Sequence, residues 1–233
     1  MPASLVSFVT PRGCGMPNGR WERLQPVRHA NETFGLLGII GLGMTSLDHL
    51  TARRSVPSRQ LGEPGPTAEQ LERLLAAAIR VPDHGKLTPW RLVLVRGRAR
   101  QQLGERLAEI HRRKDPNTPD NVIAKDRDRF NFAPLIVAVV ARTDPSHPKV
   151  PEQEQVLSAG YVAYNLLLGA QALGFGAQIL TGWAAYDRDV AELLALAGNE
   201  RIVGFVHIGT AREAAPERVR PDVRTLVSEW EPR

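Results

Sequence analysis

The chain has 233 residues, 42% of them apolar, 24% charged and 6% aromatic, and 30 Lys plus Arg against 25 Asp plus Glu give a net charge of +5. That length buries a sizeable core without disulfide or metal staples, and the composition excludes a disordered chain, a collagen and a disulfide scaffold. The charge excess is mild, suited to anionic small molecules and weak as a nucleic-acid signal, and the single Cys14 cannot form an intrachain disulfide. The expectation is a cytoplasmic protein that partners neither nucleic acid nor membrane.

Residues 1–32 are rich in Pro, Gly, Arg and Asn without apolar periodicity and are expected to be unstructured. Thr33 to Gly43 is apolar but too short and too glycine-rich for a bilayer-spanning helix, which needs about 20 residues. A signal peptide would want a small-residue cleavage site, and the chain after Gly43 offers no clean A-x-A site. Residues 1–43 therefore read as an unstructured extension or a mis-assigned start, with a membrane-associating arm as the alternative. The folded domain is expected over 44–233.

From Met44 onward helix and strand signals alternate. Thr45 or Ser46 can cap a short helix carrying Leu47 and Leu50, and a Pro- and Gly-rich connector runs on to Pro66. Thr67 to Gln70 (TAEQ) is a capping box, followed by Leu71, Leu74, Leu75, Ala78 and Ile79 at helical spacing, with the helix stopping before Pro82. Trp90 to Val95 reads as a strand. Ala99 to Arg113 reads as a helix striped by Leu103, Leu107 and Ile110, and Pro119 to Phe130 as a more polar one.

Pro134 to Val140 (PLIVAVV) is a continuous apolar run, as a strand covered on both faces requires. Glu152 to Leu173 is the longest helical pattern, apolar around most of its circumference from Ala159, which places it centrally or at a subunit interface. A strand over Gly176 to Thr181, a helix over Asp187 to Ala197 and a strand over Arg201 to Ile208 follow. The charged, proline-bearing tail from Thr210 is expected to cross a surface or reach a partner chain. The alternation argues for an α/β or α+β fold without internal repeat.

Metal and nucleophile signals are poor. The six histidines lack HExxH or paired-Cys spacing, Ser158 stands in L-S-A-G and not in a nucleophile elbow, and no phosphate-cradling glycine motif occurs. Gly174-Phe175-Gly176 serves first to end the long helix. Arg96, Arg98, Arg100, Arg112, Arg113 and Lys114 interleave with Glu105 and Glu109, the pattern of a solvated face. Arg53-Arg54-Ser55 offers two guanidinium forks and a hydroxyl in succession, which suit a phosphate, although such triplets also complement a helix dipole. Arg80 to His84 (RVPDH), leading to Thr88-Pro89-Trp90, is a loop able to grip a planar polar ring.

Together these segments resemble the nitroreductase family of FMN-dependent oxidoreductases, in its short bacterial branch. The matching stretches are RRS at Arg53–Ser55, EPGPTAEQL at Glu63–Leu71, PDHGKLTPWRLVLV at Pro82–Val95, APLIVAVVA at Ala133–Ala141, KVPEQEQVLSAG at Lys149–Gly160, ALGFGAQILTG at Ala172–Gly182 and IVGFVHIGT at Ile202–Thr210. The resemblance spans about Met44 to Thr210 in order and excludes residues 1–43.

What the resemblance implies is an α+β fold, a central, mainly antiparallel sheet flanked by helices. It also implies a homodimer with the long helix in the interface and FMN where the subunits meet. NAD(P)H would donate hydride to flavin N5, and a small-molecule acceptor such as a nitroaromatic or quinone would take the electrons. Carried over by position, Arg53, Arg54 and Ser55 would hold the FMN phosphate and ribityl chain. Arg80 and His84 would contact the same cofactor, and Ile179, Leu180 and Thr181 would line the isoalloxazine. Gly169, Ala170, Gln171, Ala172, Leu173 and Gly174 match a segment linked to nicotinamide binding. No side chain is required as acid or base, so no catalytic residue and no metal site is expected.

Two departures from the family pattern stand out. R-R-S-V-P-S-R displaces Arg59, leaving Arg59, Arg54 and Arg80 as alternatives for the charge near flavin N1, and Lys86 and Thr88 replace the Asn and Gln of many relatives. The rival readings are a specialised flavin enzyme that dehalogenates or fragments a ring, and a non-catalytic flavin- or anion-binding protein.

Overall fold

The computed structural model describes residues 45–232. The segment 1–43, with Cys14 and the apolar run from Thr33, lies outside the described residues. Helix α1 (Ser46–Ala52) opens on a capping box in which the Thr45 hydroxyl accepts from the Asp48 amide and the Asp48 carboxylate accepts from the Thr45 amide. The predicted connector holds a single 3-10 turn (Ser58–Gln60) and the two-residue strand β1 (Leu61–Gly62). Helix α2 (Ala68–Ala78) starts on the predicted Thr67–Gln70 box, so reciprocal side-chain bonds satisfy two of the orphan amides.

Strand β2 (Trp90–Arg96), helix α3 (Arg98–Lys114), helix α4 (Asp120–Arg129) and strand β3 (Leu135–Arg142) follow within a residue or two of expectation. Helix α5 (Glu152–Ala172), strand β4 (Gly176–Leu180), helix α6 (Arg188–Leu193) and strand β5 (Glu200–Ala211) complete the sheet and its cover. Every strand pairing among the described residues is antiparallel: β2 with β3, β3 with β5, and both β4 and β1 with β5. The family's α+β architecture is therefore the one found.

Side-chain alternation along the strands gives the sheet two apolar faces. Leu135, Val137, Val139, Val206 and Ile208 pack under α2 and α5, against Leu74, Val162, Leu166 and Ala170. Ile136, Ala138, Ile202 and Phe205 pack on the other face against Leu103, Leu107, Ile110, Phe130 and Val190. Ile202 and Phe205 share a face, although three apart, because a bulge between Val139 and Val140 shifts the register and leaves one extra residue on β5. All seven residues from Leu135 to Ala141 are buried, as their unbroken apolar run requires.

Two helix contacts depend on glycine. A Cβ at Gly104 would lie 2.2 Å from the Arg127 carbonyl oxygen, so α3 and α4 touch backbone to backbone there, and a Cβ at Gly169 would lie 2.6 Å from the Leu74 side chain. Helix α6 is shorter than the predicted 187–197. The Leu196 amide donates back to the Ala191 carbonyl and the Ala195 amide to that of Glu192, with Ala195 at φ 51°. That is a Schellman end whose left-handed position carries alanine where glycine is usual.

Candidate functional site

The arginine pair is placed by what stops α1. After Ala52 the backbone turns extended at Arg53 (φ −62°, ψ 125°), which turns the next residues off the helix axis. Arg53 Nη1 donates to Ser55 Oγ at 3.3 Å, and Arg54 Nη1 donates to the carbonyls of Thr51 and Arg53 at 2.7 and 3.0 Å. The Arg54 guanidinium also pairs with the Glu217 carboxylate from the tail. Its pKa lies below the ordinary arginine value, first through desolvation and then through repulsion by Arg220 and Arg53. Guanidinium groups crowded closely enough to repel one another, with Ser55 beside them, form a donor set suited to a phosphate dianion.

The loop behind this cluster is stitched to β4. The Val56 amide donates to the Ala177 carbonyl at 3.0 Å, and the Ser58 amide donates to Gln178 Oε1 at 2.6 Å. The Arg53–Ser55 segment and the end of β4, where Ile179, Leu180 and Thr181 stand, thus occupy one edge of the sheet. Ile179 and Leu180 are half-buried and Thr181 is exposed. Arg59, displaced by the interrupted motif, lies exposed in the turn that follows.

Arg80 and His84 are exposed on a different loop, which α5 holds in place. Ser158 Oγ donates to the Pro82 carbonyl at 2.9 Å, and Asn165 Nδ2 donates to the carbonyls of Ala78 and Arg80 at 3.3 and 3.2 Å. His84 Nδ1 lies 2.7 Å from Glu154 Oε2. Lys86 and Thr88, the two departures from the family pattern, both have positive φ (55° and 49°), an unusual conformation for a β-branched threonine. The Asp83 carboxylate compensates by accepting from the Leu87 and Thr88 amides at 3.1 and 2.9 Å. Strain of this kind gathers where a loop must hold one shape. Among the described residues, no hydrogen bond or ion pair links this loop to Arg53–Ser55.

The stretch Gly169 to Gly174 does other work. Gly169 meets Leu74, Ala170 is buried in the core, Gln171 Nε2 donates to the His49 carbonyl at 3.4 Å, and Gly174 (φ 84°) ends α5. Leu173 is half-buried and Ala172 exposed.

Sequence reasoning missed three features. Arg220 enters the cationic cluster from a tail that carries no pattern. Beyond β4, Trp183 Nε1 donates to Asp126 Oδ2 at 2.8 Å, while His111 Nδ1 lies 2.6 Å from the same oxygen and Arg129 Nη2 lies 3.7 Å from Oδ1. Buried next to Phe130, His207 has no hydrogen-bond partner on either ring nitrogen among the described residues, and burial pushes its pKa down to about 3. A histidine in an apolar strand and acids on polar helices carry no periodic signal, so only the folded arrangement discloses them.

A helix-flanked antiparallel sheet with an arginine pair stitched to one edge defines the class. The pattern of the nitroreductase family matches residues 50–210, and the chain belongs to that family. It is 36% identical over 76% of its length to the Haemophilus influenzae protein named "Putative NAD(P)H nitroreductase", covering 94% of that relative. It is 35% identical over 79% of its length to "Putative NAD(P)H nitroreductase YdjA" of Escherichia coli K12, covering 99% of it. A Desulfovibrio desulfuricans crystal structure described as a "putative nitroreductase in complex with fmn" shares the fold at a TM-score of 0.62 and 20% identity, over 80% of this chain and 97% of that one.

Proposed function

We propose that the chain is an FMN-dependent NAD(P)H oxidoreductase working as a homodimer in the cytoplasm. The observation that carries the reading is the group of Arg53, Arg54 and, across the shared Glu217 carboxylate, Arg220, stitched to β4, within a family two of whose relatives carry the name "Putative NAD(P)H nitroreductase" and one of whose fold neighbours was solved with FMN. When bound, FMN supplies the two-electron chemistry, accepting hydride from NAD(P)H and returning reducing equivalents to a nitroaromatic or quinone.

The chain's residues supply position and charge. Arg53, Arg54 and Arg220 hold the phosphate, Ser55 donates beside it, and the backbone of Ile179, Leu180 and Thr181 faces the ring. Arg80 and His84 complete the pocket of a second copy, which accounts for two half-sites that no hydrogen bond or ion pair links among the described residues. On α5 the exposed Leu157, Tyr161 and Tyr164, with Leu47 and Leu50 on α1, form the apolar surface such a dimer would bury. Gly169–Gly174 is occupied with packing and helix termination, so the nicotinamide is assigned to the flavin face instead. No helix among the described residues is long and apolar enough to cross a membrane.

The test is FMN uptake by the purified full chain, followed by quenching of flavin fluorescence. One FMN per chain with a dimer in solution is the expected result. A chain that stays colourless in excess FMN would refute the reading.

A further inference from the structure

Gly182 follows directly on the segment assigned to the flavin ring, and its backbone (φ 58°, ψ −171°) is one that side-chain-bearing residues avoid. A Cβ placed there would lie 3.4 Å from Arg129 Nη1, so the guanidinium of the last residue of α4 rests against the Cα of Gly182. The Arg129 side chain is 27% exposed, so it is partly withdrawn from water yet open on one side.

Arg129 is also under-partnered. Among the described residues it donates no hydrogen bond, and its one ion pair is the 3.7 Å approach to Asp126. The other Asp126 oxygen is already engaged by the Trp183 indole and by His111. The neighbouring His207 offers no compensation, because neither of its ring nitrogens accepts a hydrogen bond from Arg129. A guanidinium has five N–H donors in a planar fork, and a partly desolvated one without acceptors favours an anion that brings its own pair of oxygens.

We infer that Arg129 is a specificity-determining residue, binding a carboxylate (or a similarly planar anionic group) on the aromatic acceptor beside Gly182. This rests on the flavin reading of the site. Asp126 acts as its positioning residue: tied to α3 through His111 and to the turn after β4 through Trp183, it holds the guanidinium beside Gly182 without neutralising it fully. The site therefore selects acidic aromatic acceptors over neutral ones of the same shape.

The experiment uses the FMN-loaded full chain and non-reducible ligands, so that binding is read apart from turnover. Benzoate and benzamide are titrated against the oxidised protein, followed by calorimetry and by the shift in flavin absorbance. Wild type is expected to bind benzoate roughly tenfold more tightly than benzamide, Arg129→Gln to reduce that ratio to about one, and Arg129→Lys to keep part of it. Equal affinity for the two ligands in the wild-type protein overturns the inference without recourse to any variant. So does an Arg129→Gln protein that retains FMN and the full preference. Failure to take up FMN refutes the functional reading and this inference together, whereas FMN uptake without benzoate preference refutes this inference alone.

Discussion

The two faces of the sheet are built from different chemistry. Under α2 and α5 the apolar cluster is aliphatic apart from Trp90 and Phe175. On the α3–α4–α6 face, a comparable apolar layer surrounds His207 and borders the His111–Asp126–Trp183 cluster with Arg129. The buried polar side chains of α5 on the first face, Gln155 and Ser158, all find backbone partners. The second face carries His207, unpartnered among the described residues, and the shared Asp126 carboxylate, and through Trp183 and Arg129 it reaches Gly182.

The difference can be broken most strongly on the apolar face. Leu166→Ala, at a fully buried position, is expected to cost about 3 kcal/mol in urea unfolding, as a cavity among close-packed aliphatic groups does. Because Leu166 lies in the core and makes no part of the Arg53–Ser55 loop, FMN stoichiometry should survive in whatever fraction stays folded.

On the polar face the expected signature is pH dependence. His207 is held at about 3 against an ordinary 6.5, by burial first and by Arg129 second. Above 6.5 it is neutral folded or unfolded and contributes no slope. As pH falls from 6.5 towards 3, the unfolded chain binds a proton that the folded chain refuses, so stability is lost by up to about 1.4 kcal/mol per pH unit. His207→Leu should flatten that part of the curve, giving a relative gain of about 2 kcal/mol two pH units below the ordinary histidine value. Denaturant midpoints measured across that range check it. Parallel curves for the two proteins would mean that His207 finds a partner for its proton.

At the site itself, Arg54→Ala should weaken FMN binding about tenfold or more, roughly 1.4 kcal/mol, with little change in unfolding midpoint of the FMN-free protein. The smallest expected effect is the control. Arg106 and Glu109 form an exposed pair on α3 at 2.7 Å, and Arg106→Ala should move stability by no more than about 0.5 kcal/mol.

Elements that advertise themselves through period and caps were legible in the sequence: the Thr67–Gln70 capping box, the unbroken β3 run, and α5 to within a residue of its end. The far end of α6 was not, because Ala195 adopts a left-handed conformation without the glycine that announces it. The extension of β5 to Ala211 was missed because its last residues pair with a two-residue strand, β1, hidden in a proline-rich connector. For the site, Arg53–Ser55 and the end of β4 were named from sequence, and the structure stitches their loops together through Ala177 and Gln178. Arg220, Asp126 and Arg129 were illegible, since their roles depend on neighbours brought from distant parts of the chain.

The account's central claim is that this chain loads FMN and that NAD(P)H reduces it. Anaerobic mixing of the FMN-loaded full chain with NADH and, separately, with NADPH tests that most directly. The account predicts that the oxidised flavin absorbance bleaches with at least one of the two and returns on adding a nitroaromatic or a quinone. A bound flavin that stays oxidised with both donors would contradict it.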